Sequence, residues 1–270
     1  MKKFLTATLA VAMMFGSTAD AAHVRDRETI YQVALLPSLA MGYFDGSITV
    51  KELKTYGDTG IGTFDGLDGE MIVLDGVVYR ANQNCEINVV ADDVTVPFSN
   101  VTFFDTDSGG ELADLRGKDQ LDATLNDSIR DDNAADTFHM VKITGEFSNL
   151  VIRSEAKQSK PYPTLVESLK ATQKEFTHKN IRGTIVGLYC PAFMSSLNTT
   201  VWHYHFISED KKIGGHVLDV DIKRAMLAMD KTNGFRMSLP GTAAFNALDF
   251  NRDMKGDIHR AENEKYQGGK

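Results

Sequence analysis

Residues 200–220, TVWHYHFISEDKKIGGHVLDV, constrain the fold more than any other stretch of the chain. Trp202, Tyr204, Phe206 and Ile207 surround His203 and His205 and favour an extended strand, because aromatic and β-branched side chains pack well on a pleated surface. Residues 208–212 are polar and turn-like, and 213–220 are apolar again, so the spacing predicts a β-hairpin. Side chains alternate faces along a strand, which puts His203 and His205 on one side. A register that pairs Ser208 with Ile213 also pairs His205 with His216, and directly opposed residues lie about 4.5–5.5 Å apart at Cβ. Three of the seven histidines then converge on one patch. Three neutral imidazoles with one open position are a common way to hold catalytic zinc. A His-x-His pair alone also describes a surface pair or a satisfied core pair; the third histidine at the matching register is what points to a metal. His23, His139, His178 and His259 share no such spacing and read as structural or solvated.

Residues 1–21 read as an export signal. Lys2 and Lys3 form a basic start, residues 4–15 are mostly apolar, and Ala19-Asp20-Ala21 offers a small-residue cleavage site. The apolar run is shorter than the ~20 residues a membrane span needs, and no later stretch reaches that length. The mature chain, from about Ala22, is expected in the periplasm or secreted, free of the membrane. The formal charge of −8, with no basic stripe, argues against nucleic acid and anionic membrane as partners. Cys85 and Cys190 are the only cysteines and form no CxxC pair. Export permits a disulfide between them, and the sequence leaves that pairing open.

Turn chemistry and periodicity divide the chain further. Residues 25–36 carry apolar side chains at roughly helical spacing. Thr49 and Glu52 read as a capping box that opens a short helix to about Tyr56. Asp75-Gly76 predicts a hairpin over residues 70–80, with Glu70, Ile72 and Leu74 on one face. A carboxylate at the start of an apolar face lies at a wet rim or inside with a task, and Glu70 admits both readings. Strands are predicted over 85–90, 93–96 and 101–104, with a turn at 97–100. A helix is predicted from Lys118, its Leu121, Leu125 and Ile129 sharing one stripe. Residues 137–144 and 147–153 read as a second hairpin turning at Gly145-Glu146.

Residues 154–163, polar and with two prolines, read as a linker. A helix follows with Leu165, Leu169, Thr172 and Phe176 on one stripe, then a strand over 181–189, a β-run at 234–239 and a largely helical polar tail over 242–266. Part of that tail has calcium-loop spacing, but Lys255 occupies a ligand position and repels a cation. The fold class is therefore α+β: two linked domains, 22–154 and 155–270, built on mixed or antiparallel sheets with flanking helices. A single continuous sheet is the alternative architecture.

Five stretches, taken in order, resemble the alpha-acetolactate decarboxylase family: GTFDGLDGEMIVLDGVVY (62–79), PFSNVTFF (97–104), IRSEAKQSKPYPTL (152–165), IRGTIVGLYCP (181–191) and WHYHFISEDKKIGGHVLD (202–219). The resemblance spans roughly residues 30–239. It implies zinc held by His203, His205 and His216. The family's acidic residue in the LDGE turn falls on Glu70, and its arginine before the KPYP segment falls on Arg153. A glutamate of the C-terminal tail also reaches the metal in that family; Glu262 is the better match and Glu264 the next. The resemblance implies decarboxylation of (S)-2-acetolactate to (R)-acetoin and CO2 through a zinc-stabilised enediolate, and a homodimer. In that chemistry Arg153 orients the carboxylate through paired N–H donors, and Glu70 or Glu262 returns a proton to carbon.

Two other readings start from the same histidines. His203-x-His205-x3-Glu209 fits the first half of a cupin metal motif, which would make the protein a metal-dependent oxygenase or isomerase. A non-catalytic exported zinc-binding protein would need the histidines but neither Arg153 nor Glu70.

Overall fold

The computed structural model describes residues 26–200 and 202–264. The export signal expected over residues 1–21 lies outside the described residues. The first stretch runs β1 (Thr29–Val33), α1 (Leu36–Ala40), β2 (Ile48–Thr49), α2 (Val50–Leu53), β3 (Thr59–Thr63), β4 (Glu70–Leu74), β5 (Val77–Ala81), β6 (Ile87–Val89), β7 (Thr95–Val96) and β8 (Phe98–Thr102). Next come β9 (Ser108–Leu115), α3 (Lys118–Asp131), the long β10 (Phe138–Ser154), α4 (Leu165–Thr172) and β11 (Lys174–Tyr189). The chain closes with β12 (His203–Ser208), β13 (Gly214–Thr232), β14 (Gly234–Ser238), α5 (Ala243–Asn246) and α6 (Lys255–Asn263).

The fold is α+β and is built on two large sheets. A seven-stranded sheet has the order β14-β1-β8-β3-β4-β5-β6, with β1 and β14 parallel and the other neighbours antiparallel. A five-stranded antiparallel sheet has the order β10-β11-β12-β13-β9. There β10 also pairs with β13, so β10, β11, β12 and β13 close on themselves. β2 and β7 form a separate small pair. The first sheet takes β14 from the far end of the chain, while the second takes β9 and β10 from before Ser154. The boundary expected at 154/155 therefore does not coincide with the division between the sheets.

Local chemistry explains most elements. Asp75 and Gly76 take φ of 51° and 80°, the left-handed pair that a two-residue hairpin turn requires, and β4 and β5 follow from it. Thr49 accepts from the Glu52 backbone N–H and caps α2. Thr164 and Glu167 form a full capping box on α4. Leu121, Leu125 and Ile129 of α3 are all buried against the closed strands, beside Val141, Phe147 and Phe206. A fourth group of buried side chains joins α1, α4 and α6 through Leu36, Leu39, Leu165, Leu169, Ile258 and Ala261. The large apolar members contribute about 1.5–3 kcal/mol each. This contact carries the C-terminal helix back to the sheets.

Four expectations are corrected. Residues 25–36 hold a strand rather than a helix, because β1 lies between β8 and β14 and is buried on both faces, which erases the alternation that marks a strand. Residues 97–100 are not a turn; β8 begins at Phe98, with Pro97 just before it. Residues 137–153 are one strand of 17 residues, not a hairpin. Gly145 marks a close approach instead: a Cβ there would lie 2.3 Å from the Arg224 carbonyl oxygen of β13, and the strand is irregular from Glu146 to Asn149. Finally, α4 ends at Thr172, and Phe176 belongs to β11.

Candidate metal and catalytic site

The closed strands place the histidines by register. His205 faces His216, as the spacing of the hairpin predicts, and His203 faces Leu188 of β11. β13 lies against β10 with His216 beside Arg153. Gly215 makes that approach possible, since a Cβ there would stand 2.5 Å from the Arg153 carbonyl oxygen. The other sheet supplies Glu70, the first residue of β4. The two sheets meet where His205 Nδ1 donates to the Met71 carbonyl at 2.7 Å. α6 delivers Glu262, and its main-chain carbonyl accepts from His216 Nε2 at 2.9 Å.

These two backbone contacts fix the proton positions. A carbonyl only accepts, so His205 carries its proton on Nδ1 and His216 carries its proton on Nε2. Their other ring nitrogens are left as lone pairs, and both face His203 Nε2, at 3.1 Å and 3.0 Å. His203 can donate to only one of them. One ligand atom from each of the three lies within 4.8 Å of the others, so the cluster can hold a metal ion. Burial, then neighbouring positive charge from Arg153 or another histidine, pulls the His203 and His216 imidazoles well below their usual range. Burial also lowers His205, against the Glu70 charge. All three are neutral at physiological pH, the form that binds metals.

Carboxylates ring the histidines. Glu262 Oε2 is buried with no hydrogen-bond partner, 3.3 Å from His203 Nε2 and 3.9 Å from His216 Nδ1. Burial pushes its carboxyl up to about 7. Glu70 Oε2 lies 3.3 Å from His205 Nε2, and its Oε1 accepts from Arg153 Nη1 at 2.5 Å. Glu70 is 6% exposed, which decides for the interior reading over the wet rim. Arg153, Glu70, Glu262 and His203 line one cavity, walled by Leu36, Leu39, Leu67, Phe98, Leu165 and Leu169.

The structure thus brings together all six residues singled out in the sequence. Glu264, the alternative tail glutamate, is exposed. Glu209 is exposed and pairs with Arg182 at 3.2 Å, so the cupin ligand set does not form. Cys85 and Cys190 are both free and buried. His139 bonds the Ala134 carbonyl, and His259 lies on the surface of α6 beside Asn263. Sequence reasoning missed Glu155, a buried carboxyl on the same cavity. Its signal was available: Arg153-x-Glu155 repeats the same-face spacing of His203-x-His205.

A three-histidine cluster that could hold a metal ion, beside one arginine and three buried carboxyls under a largely apolar cavity, defines an enzyme site on an α+β fold. The sequence model of the family described as Alpha-acetolactate decarboxylase matches residues 30–252, and the chain belongs to that family of carboxy-lyases. It is 35% identical over 235 residues to the alpha-acetolactate decarboxylase of Methanosarcina mazei, covering 87% of this chain and 80% of the relative. It is 34% identical to that of Brevibacillus brevis, covering 92% and 85%. The crystal structure of alpha-acetolactate decarboxylase from Bacillus subtilis strain 168 superimposes with a TM-score of 0.83 at 32% identity, over 87% of this chain and all of that one.

Proposed function

We propose that the protein is a zinc enzyme that decarboxylates (S)-2-acetolactate to (R)-acetoin and CO2. The observation that carries this reading is the meeting of two features in one apolar cavity. Three neutral histidines bring one ring nitrogen each toward a common point, and Arg153 keeps unspent N–H groups. Arg153 Nη2 spends one hydrogen on the Ala261 carbonyl, and Nε is buried without a partner. The Nε–Nη2 edge presents parallel N–H bonds that match a carboxylate.

Acetolactate is a β-keto acid with a hydroxyl beside the ketone. Breaking its carboxyl–carbon bond releases CO2 and leaves an electron pair that must move onto the neighbouring carbonyl oxygen. His203, His205 and His216 would hold the zinc, which supplies a Lewis acid for that oxygen. Arg153 anchors the departing carboxylate and orients the bond to be broken. The electron pair is quenched by a proton delivered from the protein. Glu262 is the assigned donor, because its Oε2 is buried beside the histidines and unengaged. Glu70, committed to Arg153, orients the guanidinium. Delivery from one side gives a single enantiomer.

The test is acetoin formation from racemic acetolactate, followed by chiral chromatography, with chelator and then with zinc restored. Chelator-sensitive, zinc-restored release of one enantiomer supports the reading; tight zinc binding without acetoin returns it to a zinc-carrying protein. The residue 1–21 signal fits export to the periplasm or medium, which N-terminal sequencing of the secreted protein tests. The homodimer implied by the resemblance is tested by light scattering.

A further inference from the structure

Three buried carboxyl groups surround one buried guanidinium, and the reading above uses only two of them. Glu155 is 2% exposed and lines the same cavity. Its Oε2 accepts from Arg153 Nη1 at 3.1 Å, the nitrogen that also donates to Glu70 Oε1. Nη1 carries two hydrogens, so both are committed there. Those N–H bonds lie in the guanidinium plane. Glu70 and the Ala261 carbonyl each hold one nitrogen of the guanidinium, and Glu155 takes the remaining Nη1 hydrogen, so the Nη1 side has none left to pair elsewhere.

We propose that Glu155 is a positioning residue, which together with Glu70 grips the Nη1 side of Arg153 so that the Nε–Nη2 edge is presented to the substrate carboxylate. The backbone supports this grip. Arg153 and Glu155 are two apart at the end of β10 and turn to one side. Ser154 between them donates its Oγ to the Ala81 carbonyl at 2.9 Å, tying the strand end to β5. Glu155 also comes within hydrogen-bonding reach of Glu70. Burial, and next the Glu70 charge, raise its carboxyl well above the usual range. A carboxyl raised in this way favours its protonated form more than an ordinary glutamate does, which suits a hydrogen bond shared with Glu70 while Oε2 accepts from Arg153. Glutamine offers the same shape, one acceptor and a donor.

The inference rests on Arg153 being the carboxylate anchor, and the experiment separates the two. Steady-state kcat and KM, zinc content and thermal midpoint are measured for E155A, E155Q, E155D and R153K, and for E155A in the R153K background. E155A is expected to lower kcat/KM by about thirtyfold with zinc retained, and E155Q to recover all but about threefold of the wild-type value. In the R153K background E155A should change kcat/KM by less than about threefold, because the edge it positions is already gone. Wild-type kinetics in E155A, an equal loss in both backgrounds, or E155Q as poor as E155A would overturn the inference. If E155A does not fold, E155D decides: it keeps the acid but withdraws it by one methylene, and wild-type turnover there overturns the inference. Full turnover in R153K would instead sink the anchor reading itself.

Discussion

The closed strands and the C-terminal helix reach the same site by different physics. β10, β12 and β13 deliver Arg153 and the three histidines through main-chain ladders, in which each position is fixed by its hydrogen-bonded neighbour. α6 delivers Glu262 through side-chain packing of Met254, Ile258 and Ala261 against α1 and α4, together with the His216–Glu262 and Arg153–Ala261 backbone contacts. A ladder holds a residue to the register of a whole sheet. A short docked helix holds it only as firmly as its few buried contacts, and such elements open first. The histidine platform is thus the rigid part and the Glu262 side the adjustable one.

The largest expected effect comes from the rigid part. His216→Ala removes one of three candidate ligand nitrogens and should lower zinc affinity by several orders of magnitude and abolish acetoin formation; elemental analysis beside the assay checks both. Arg153→Lys comes next. Zinc should stay while kcat/KM falls about a hundredfold or more, since an ammonium cannot reproduce two parallel donors. Truncations in the two regions sharpen the comparison directly. Ile143→Ala in the closed strands should lower global stability by about 2–5 kcal/mol in denaturant unfolding, with turnover per folded molecule preserved. Ile258→Ala in α6 should do the reverse, cutting kcat about tenfold with a smaller loss of global stability. Equal behaviour of the two would break the distinction.

A pH profile gives the next effect. Glu262 must hold its proton to donate it; burial pushes its carboxyl up to about 7 in the metal-free protein, bound zinc would draw it down, and the active form prevails below the resulting value. Turnover should therefore fall toward tenfold per unit as pH rises beyond it. E262Q should lose activity and that limb together; a surviving limb in the residual activity would move the donor role to Glu70. The smallest effect is Glu209→Gln, which breaks only an exposed pair with Arg182 and should change stability by at most about 0.5 kcal/mol, with zinc content unaltered.

Residues placed by strand register were legible in advance. His205 opposite His216 followed from the polarity of the turn, because antiparallel pairing keeps the sum of paired positions constant. The hairpin at Asp75-Gly76 followed from the backbone angles that turn demands. Legibility failed where burial on both faces removed the period, as in β1, and where a glycine served a close approach rather than a turn, as at Gly145. It failed again at Glu155, where the spacing was present but nothing local showed that the segment after Ser154 stays against the site.

The sequence by itself determined the α+β class, the three-histidine patch and the resemblance that singled out Glu70, Arg153 and Glu262, because period, turn chemistry and ordered motifs are local properties of the chain. Only the tertiary structure decided that β10 is a single strand closing with β13, that Glu262 rather than Glu264 is buried at the histidines, and that Glu155 shares Arg153 with Glu70. Those outcomes depend on contacts between residues up to about a hundred positions apart, and which of many possible long-range partners meet is settled by packing, not by local pattern.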